Sequence, residues 1–169
     1  TFLSGASHPE EYVRRSVRQG CRHVALADTN TVAGVVRGHL EARKHNVTFL
    51  PGCRLSLQHA EPRTEVIVYP TSLRGWNGLC RLLTRGCRQG DKGTCSLEWH
   101  DLLEHHQDLI AIAPIPRVVN SADLLSLESL RSIFDGDRLS LGIRRHLEGR
   151  SDQLPQWLDL SRQIRAPLV

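Results

Sequence analysis

Short apolar runs alternate with stretches of helical periodicity along the whole chain. Val24-Ala25-Leu26-Ala27 is a compact apolar run that ends at Asp28. Beyond it Val32, Val35, Val36 and Leu40 recur at helical spacing to about Lys44-His45, where Asn46 is the expected stop. Upstream, Phe2-Leu3 reads as the end of a strand. Ser7, Pro9 and Glu10 open a helix with a cap, a tolerated first-turn proline and a capping-box acid; Val13 and Val17 line it and Gly20 ends it. Val47-Thr48-Phe49-Leu50 is the next strand, turned by Pro51-Gly52, with Cys53 to Leu57 as its continuation. Residues 58–64 are polar and read as a loop, and Glu65 to Tyr69 as a buried strand. Leu73, Trp76, Cys80 and Leu83 then mark one helix face, with Arg74, Arg81, Arg85 and Arg88 opposite. A Gly-containing loop follows. Ser96 caps a short helix with Leu102 and Leu103 inside, and Asp108 to Ala113 is a strand closed by Pro114 and Pro116. Ser121 caps a helix carrying Leu124, Leu127, Leu130 and Phe134, and Leu139 to Ile143 is a strand. The last helix runs from Asp152 to Arg165 with Trp157, Leu158 and Ile164 inside, and Ala166 to Val169 opens a further strand. Strands alternating with helices predict an α/β fold with a mainly parallel sheet covered by helices. A barrel and an open doubly wound sheet both satisfy the pattern.

Composition narrows the picture. The 169 residues suit one domain, and 40% hydrophobic content supplies a core. No apolar run reaches the ~20 residues of a membrane span, and Thr1-Phe2-Leu3-Ser4 has no leader character. Five cysteines without a CxxC pair argue against a disulfide framework or a cysteine zinc site, so a reduced, cytoplasmic protein is expected. The net charge is +4 and rests on arginine, with Lys44 and Lys92 as the lysines. That balance permits nucleic-acid contact without requiring it.

No GxGxxG, GxxxxGK[ST] or GxSxG stretch is present, which removes the usual phosphate loops and the hydrolase elbow. Asp28, at the end of a strand and before a helix, is either a site carboxylate or a turn-capping residue. His100, Asp101, Glu104, His105 and His106 cluster on one short segment, where a solvated face and a surface metal contact compete. His39 suits a boundary position and His8 a loop. Arg81, Arg85, Arg88 and Lys92 lie three or four apart with no acid among them, so they form either a solvated face or a track along a DNA phosphate backbone.

Several stretches together resemble one family. Phe2-Leu3-Ser4-Gly5-Ala6-Ser7-His8-Pro9-Glu10-Glu11, Ala25-Leu26-Ala27-Asp28 with Val32 to Arg37, Gly75 to Gly86 followed by Lys92-Gly93, Arg138 to Gly142, and Ala166 to Val169 occur in order. They resemble the PHP (polymerase and histidinol phosphatase) domain of bacterial error-prone DNA polymerases, relatives of the DNA polymerase III alpha subunit in the C family. The resemblance implies a distorted, TIM-like β/α barrel, with residues 1–169 as a single PHP-like domain incomplete at both ends and the polymerase domains C-terminal to it.

In active members of that family, the resemblance implies, metals sit at the carboxyl ends of the strands on a His-x-His, an Asp-His, a Gly-x-Glu and later His and Asp residues. The His-x-His is expected before Thr1 and the closing Asp-x-His after Val169. Asp28 holds the Asp position as a vestigial metal ligand, while Thr29 replaces the His, and Arg54 in Gly52-Cys53-Arg54 replaces the carboxylate. The expectation is a degenerate scaffold with no catalytic residue or cofactor of its own. Zn or Mn belongs only to an intact site, and Mg to the parent nucleotidyltransferase. The implied setting is DNA repair, translesion synthesis and replication. The expected partners are the rest of the polymerase chain, DNA and mutasome-type accessory proteins, with no membrane. A stand-alone metal-dependent phosphoesterase and a non-enzymatic docking module are the alternatives.

Overall fold

The computed structural model describes residues 5, 7–58, 64–116, 118–144 and 153–169. The strand end expected at Phe2-Leu3, most of the 58–64 loop and the start of the last helix at Asp152 lie outside them. Among the described residues eleven elements follow in order: α1 (Pro9–Arg18), β1 (His23–Thr29), α2 (Val35–Lys44), β2 (Thr48–Leu57), β3 (Thr64–Pro70), α3 (Leu73–Gln89), α4 (Trp99–His105), β4 (Leu109–Pro114), α5 (Ser121–Ile133), β5 (Leu139–Gly142) and α6 (Leu154–Ile164). None of the described helices is long and apolar enough to cross a membrane.

The strands form one sheet in sequence order, β1-β2-β3-β4-β5. The mainly parallel sheet expected from the alternation is corrected: β1–β2 and β4–β5 are parallel, but β2–β3 and β3–β4 are antiparallel. The connections explain this. One helix between strands returns the chain to its starting edge and gives a parallel pair, as across α2 and α5. No helix separates β2 from β3, and two helices separate β3 from β4, so the direction reverses in both places.

Register fixes which side chains share a face, because successive residues point to opposite sides. Val24, Cys53, Leu55, Leu57, Val66, Val68, Leu109, Ala111, Ala113, Leu139 and Leu141 all fall on one face and all are buried. Leu79, Leu82, Leu83, Leu127, Leu130, Phe134 and Ile164 of the helical layer complete that core. A second, smaller cluster joins Val13, Val24 and Ala42 beneath α1 and α2. The opposite face of the sheet carries Ala25, Thr29, Leu50, Arg54, Glu65, Ile67, Ile110 and Ile112, all exposed or half-buried. Leu168 extends the sheet as a parallel bridge to Leu141, where the further strand was expected.

Several helix ends and faces differ from the sequence reading. The strand expected to turn at Pro51-Gly52 runs straight through as β2. His8 is the N-cap of α1, its N–H donating to Glu11 Oε2 at 2.7 Å, one position later than Ser7 and Glu10. Gly20 does stop the helix, at φ +78°. Glu98 and Asn120 cap α4 and α5 in place of Ser96 and Ser121. In α2 the buried face is Gly38, Glu41 and Ala42, while Val36 and Leu40 face out. In α3 it is Gly75, Leu79, Leu82, Leu83 and Gly86, while Leu73 is exposed. Leu103 is exposed in α4, and in α6 Leu160 is buried in place of Leu158.

Glu41 clips α2 to α1 and is only 5% exposed. Its carboxylate accepts from Arg14 Nε at 2.6 Å and Lys44 Nζ at 3.0 Å, and lies 3.3 Å from His45 Nε2. Hydrogen bonds from Arg14 and then Lys44 lower its pKa from 4.5 to about 2. A depressed carboxyl pKa gives stability that is whole above the unfolded value and lost as pH falls through the folded one. Urea denaturation of wild type and Glu41→Gln should therefore differ most above pH 4.5 and converge towards pH 2. A difference that persists unchanged at pH 2 would show that the clip does not depend on the ionised carboxylate.

Candidate functional site: the carboxyl ends of β1 and β2

The parallel register sets Thr29 opposite Arg54 and Asp28 opposite Cys53. The two positions that depart from the implied metal pattern therefore stand side by side on the uncovered face. They continue as a row across the sheet through Ile67, Ile112 and Ser140. Asp28 points the other way, towards α2: a Cβ built on Gly34 would meet its Oδ2 at 2.8 Å. That contact makes Gly34 the residue that lets the N-terminus of α2 come down on Asp28.

The turn after β1 is tied to β2. Asn30 takes a left-handed φ of 53°, a conformation Asn tolerates better than most residues. Its N–H donates to the Arg54 carbonyl at 2.8 Å, and its Oδ1 accepts from the Ser56 N–H at 2.9 Å. Thr31 Oγ1 accepts from the Ala33 N–H at 3.2 Å. Cys53 Sγ donates to the Asp28 carbonyl at 3.3 Å, and burial pushes its thiol pKa up to about 12. It is fully buried and packs in the main core. Asn30 went unremarked in the sequence, although an Asx at a strand end is a turn signal.

Around these residues lies a cavity of about 500 Å³ that His8, Tyr12, Asp28, Thr29, Arg37 and Arg54 help to line. Arg37 pairs with Glu10, and the Glu10 carboxyl is held below its usual value by backbone hydrogen bonding and by Arg37. Arg54 Nη1 lies 3.7 Å from Glu65 Oε2, and the buried Arg54 Nε has no hydrogen-bond partner among the described residues. Burial raises the Tyr69 hydroxyl pKa, and the charge of Arg54 opposes that rise.

The Arg54 guanidinium is a cation and cannot itself ligate a divalent ion. A site for such an ion needs several oxygen or imidazole donors converging on one point. Here a fixed guanidinium occupies the row beside Thr29, and among the described residues no group of three or more His, Cys, Asp or Glu side chains is placed to hold a metal.

The arginine face divides. Arg81, Arg88 and Lys92 are exposed, and Arg81 and Arg88 flank a shallow groove of about 420 Å³ with Cys80 and Thr84. Arg85 is engaged within the protein: its Nε lies 2.6 Å from Asp101 Oδ1, and it pairs with Glu104 as well. The acids missing from this face in the sequence come from α4. Asp101, expected in a solvated or metal-contacting cluster, is fully buried. His100 bridges Asp101 Oδ1 at 3.2 Å and Glu98 Oε2 at 3.1 Å.

The PHP domain family profile matches residues 1–146. Error-prone DNA polymerase 1 of Rhizobium meliloti (strain 1021) is 38% identical over 152 residues, 88% of this chain and 13% of that protein. The error-prone DNA polymerase of Caulobacter vibrioides is 31% identical over 169 residues, the whole of this chain and 15% of that protein. The chain thus spans about a seventh of the length of these curated relatives. Among solved structures, an amidohydrolase from Chromobacterium violaceum superposes with a TM-score of 0.65 at 12% identity, covering 97% of this chain and 81% of that one. At that identity the likeness shows the fold alone, a TIM-like α/β architecture. With the profile match extending through the strands and turns that build the site, the chain belongs to the PHP domain family.

Proposed function

We propose that this PHP domain is part of an error-prone DNA polymerase and serves there as a scaffold without phosphoesterase chemistry. The observation that supports this is the pairing of Arg54 with Thr29 across β1 and β2, the two positions at which the resemblance implies that metal ligands have been replaced. The names of the relatives, error-prone DNA polymerases, support DNA synthesis as the parent activity; Mg in the polymerase domains is what the resemblance implies. In this role the protein works in the cytoplasm, in translesion repair and replication, with DNA and accessory proteins as partners. A stand-alone phosphoesterase is disfavoured by the same substitution.

Metal analysis of the full-length protein tests the scaffold role. Zn and Mn are expected well below one per chain, with primer extension unaffected by Asp28→Ala. Stoichiometric Zn or Mn, with a phosphatase activity abolished by Asp28→Ala, would overturn it.

A second role is favoured by the exposed groove between Arg81 and Arg88. These two with Lys92 would follow a DNA backbone, while Arg85 holds α3 to α4. The double variant Arg81→Glu/Arg88→Glu should weaken DNA binding and flatten its salt dependence by about two phosphate contacts' worth of slope. An unchanged slope would remove DNA from this surface.

A further inference from the structure

Two cysteines outside the sheet-end cavity meet at the base of the α3–α4 connection. Cys87 lies exposed on the last turn of α3, and Cys95 is half-buried just before α4; both are free thiols. The backbone brings them together. Ser96 N–H donates to the Gly86 carbonyl at 2.9 Å, so the peptide group after Cys95 is bonded to the peptide group before Cys87. Gly90 N–H donates to the same carbonyl at 3.1 Å. Cys95 Sγ rests over Gly86, the residue before Cys87, 2.6 Å from where a Cβ would stand. Between them the loop folds back on itself: Thr94 N–H and Oγ1 both donate to the Asp91 carbonyl at 2.8 Å, and Gly93 takes φ +88°.

We propose that Cys87 and Cys95 are a reversible redox pair that closes to a disulfide across the neck of the 88–94 loop. The oxidant is a low-molecular-weight disulfide such as oxidised glutathione. The exposed Cys87 attacks as thiolate, breaking the glutathione disulfide and releasing one glutathione thiolate. Cys95, as thiolate, then attacks the Cys87 sulfur of the mixed disulfide, forming the internal bond and expelling the second glutathione. The two cysteine protons finish on the two glutathione thiols, and two electrons pass from the protein pair to glutathione. Burial, followed by the neighbouring Cys87, raises the Cys95 pKa to about 12, which assigns the first attack to Cys87 and makes Cys95 the resolving thiol. The bond closes a short loop, residues 88–94. Its consequence is local: it locks the loop that carries Lys92 against the helix end that carries Arg88.

The test equilibrates the full-length protein in glutathione buffers of graded oxidation, alkylates the remaining thiols and maps the peptides by mass spectrometry. A Cys87–Cys95 link is expected at oxidising ratios, about tenfold more abundant than any link to Cys80, and lost on reduction with dithiothreitol. In Cys95→Ser, Cys87 should accumulate as the glutathione adduct, whereas in Cys87→Ser, Cys95 should remain alkylated. Cys80→Ser should leave the link intact. If wild-type Cys87 stops at the glutathione adduct just as Cys95→Ser does, or if both cysteines are alkylated at every ratio, the pair is refuted.

Discussion

Replacing Arg85 with alanine should destabilise the protein by about 3 kcal/mol, because it leaves a buried carboxylate without its cation. Asp101 is fully buried, and Arg85 Nε reaches its Oδ1 at 2.6 Å. Breaking a buried ion pair from one side costs about 3–5 kcal/mol, far more than an exposed pair is worth. The lower end applies here, since the Glu98 N–H still donates to Asp101 Oδ2 at 2.9 Å and Arg85 itself is 35% exposed. Urea denaturation measures the loss, and Arg81→Ala on the same helix is the control, expected within about 0.5 kcal/mol of wild type. In the double variant Arg85→Ala/Asp101→Ala the losses should fall short of their sum. A cost for Arg85→Ala no larger than that for Arg81→Ala would mean that Asp101 is solvated after all.

Gly75→Ala should cost about 2–3 kcal/mol even though alanine is the better helix former. A Cβ at Gly75 would stand 2.2 Å from the Asp108 carbonyl oxygen and 3.0 Å from the Asp108 Cβ. That backbone has little room to yield. The Asp108 carbonyl accepts from Thr71 N at 2.9 Å and Thr71 Oγ1 at 3.0 Å, and its carboxylate accepts from Ser72 Oγ at 2.8 Å. Ser72 in turn caps α3 by accepting from the Gly75 N–H at 3.1 Å. Gly78, one turn on, separates the two effects: a Cβ there meets the His105 carbonyl at 3.5 Å, an ordinary contact. Gly78→Ala should therefore be neutral or stabilising by up to ~1 kcal/mol. Equal thermal midpoints for the two variants would show that the α3–β4 contact gives way freely.

These two residues also show where sequence reading stops. Helical spacing found α3 itself, but ranked Leu73, Trp76, Cys80 and Leu83 as its inner face because glycine carries no hydrophobic signal. The structure turns the helix so that Gly75 and Gly86 face inward, where close approach of the Asp108 backbone and of Cys95 demands the absence of a side chain. Arg85 likewise belonged, by spacing, to an acid-free cationic face. Its partners lie on α4, and no pattern local to α3 could reveal them.

The order of strands and helices was legible in the chain, since period-2 and period-3.6 burial leave their mark on local sequence. The resemblance also singles out Asp28, Thr29 and Arg54, because a short motif carries its own spacing. The antiparallel pairings of β3 were decided by the connections: a strand's direction depends on how many helices the chain traverses before it rejoins the sheet. Only the register then set Thr29 against Arg54 on the uncovered face and turned Asp28 towards Gly34. Sequence determines which groups are available. Which of them share a face depends on hydrogen bonding between strands distant in the chain, and that is settled only when the sheet forms.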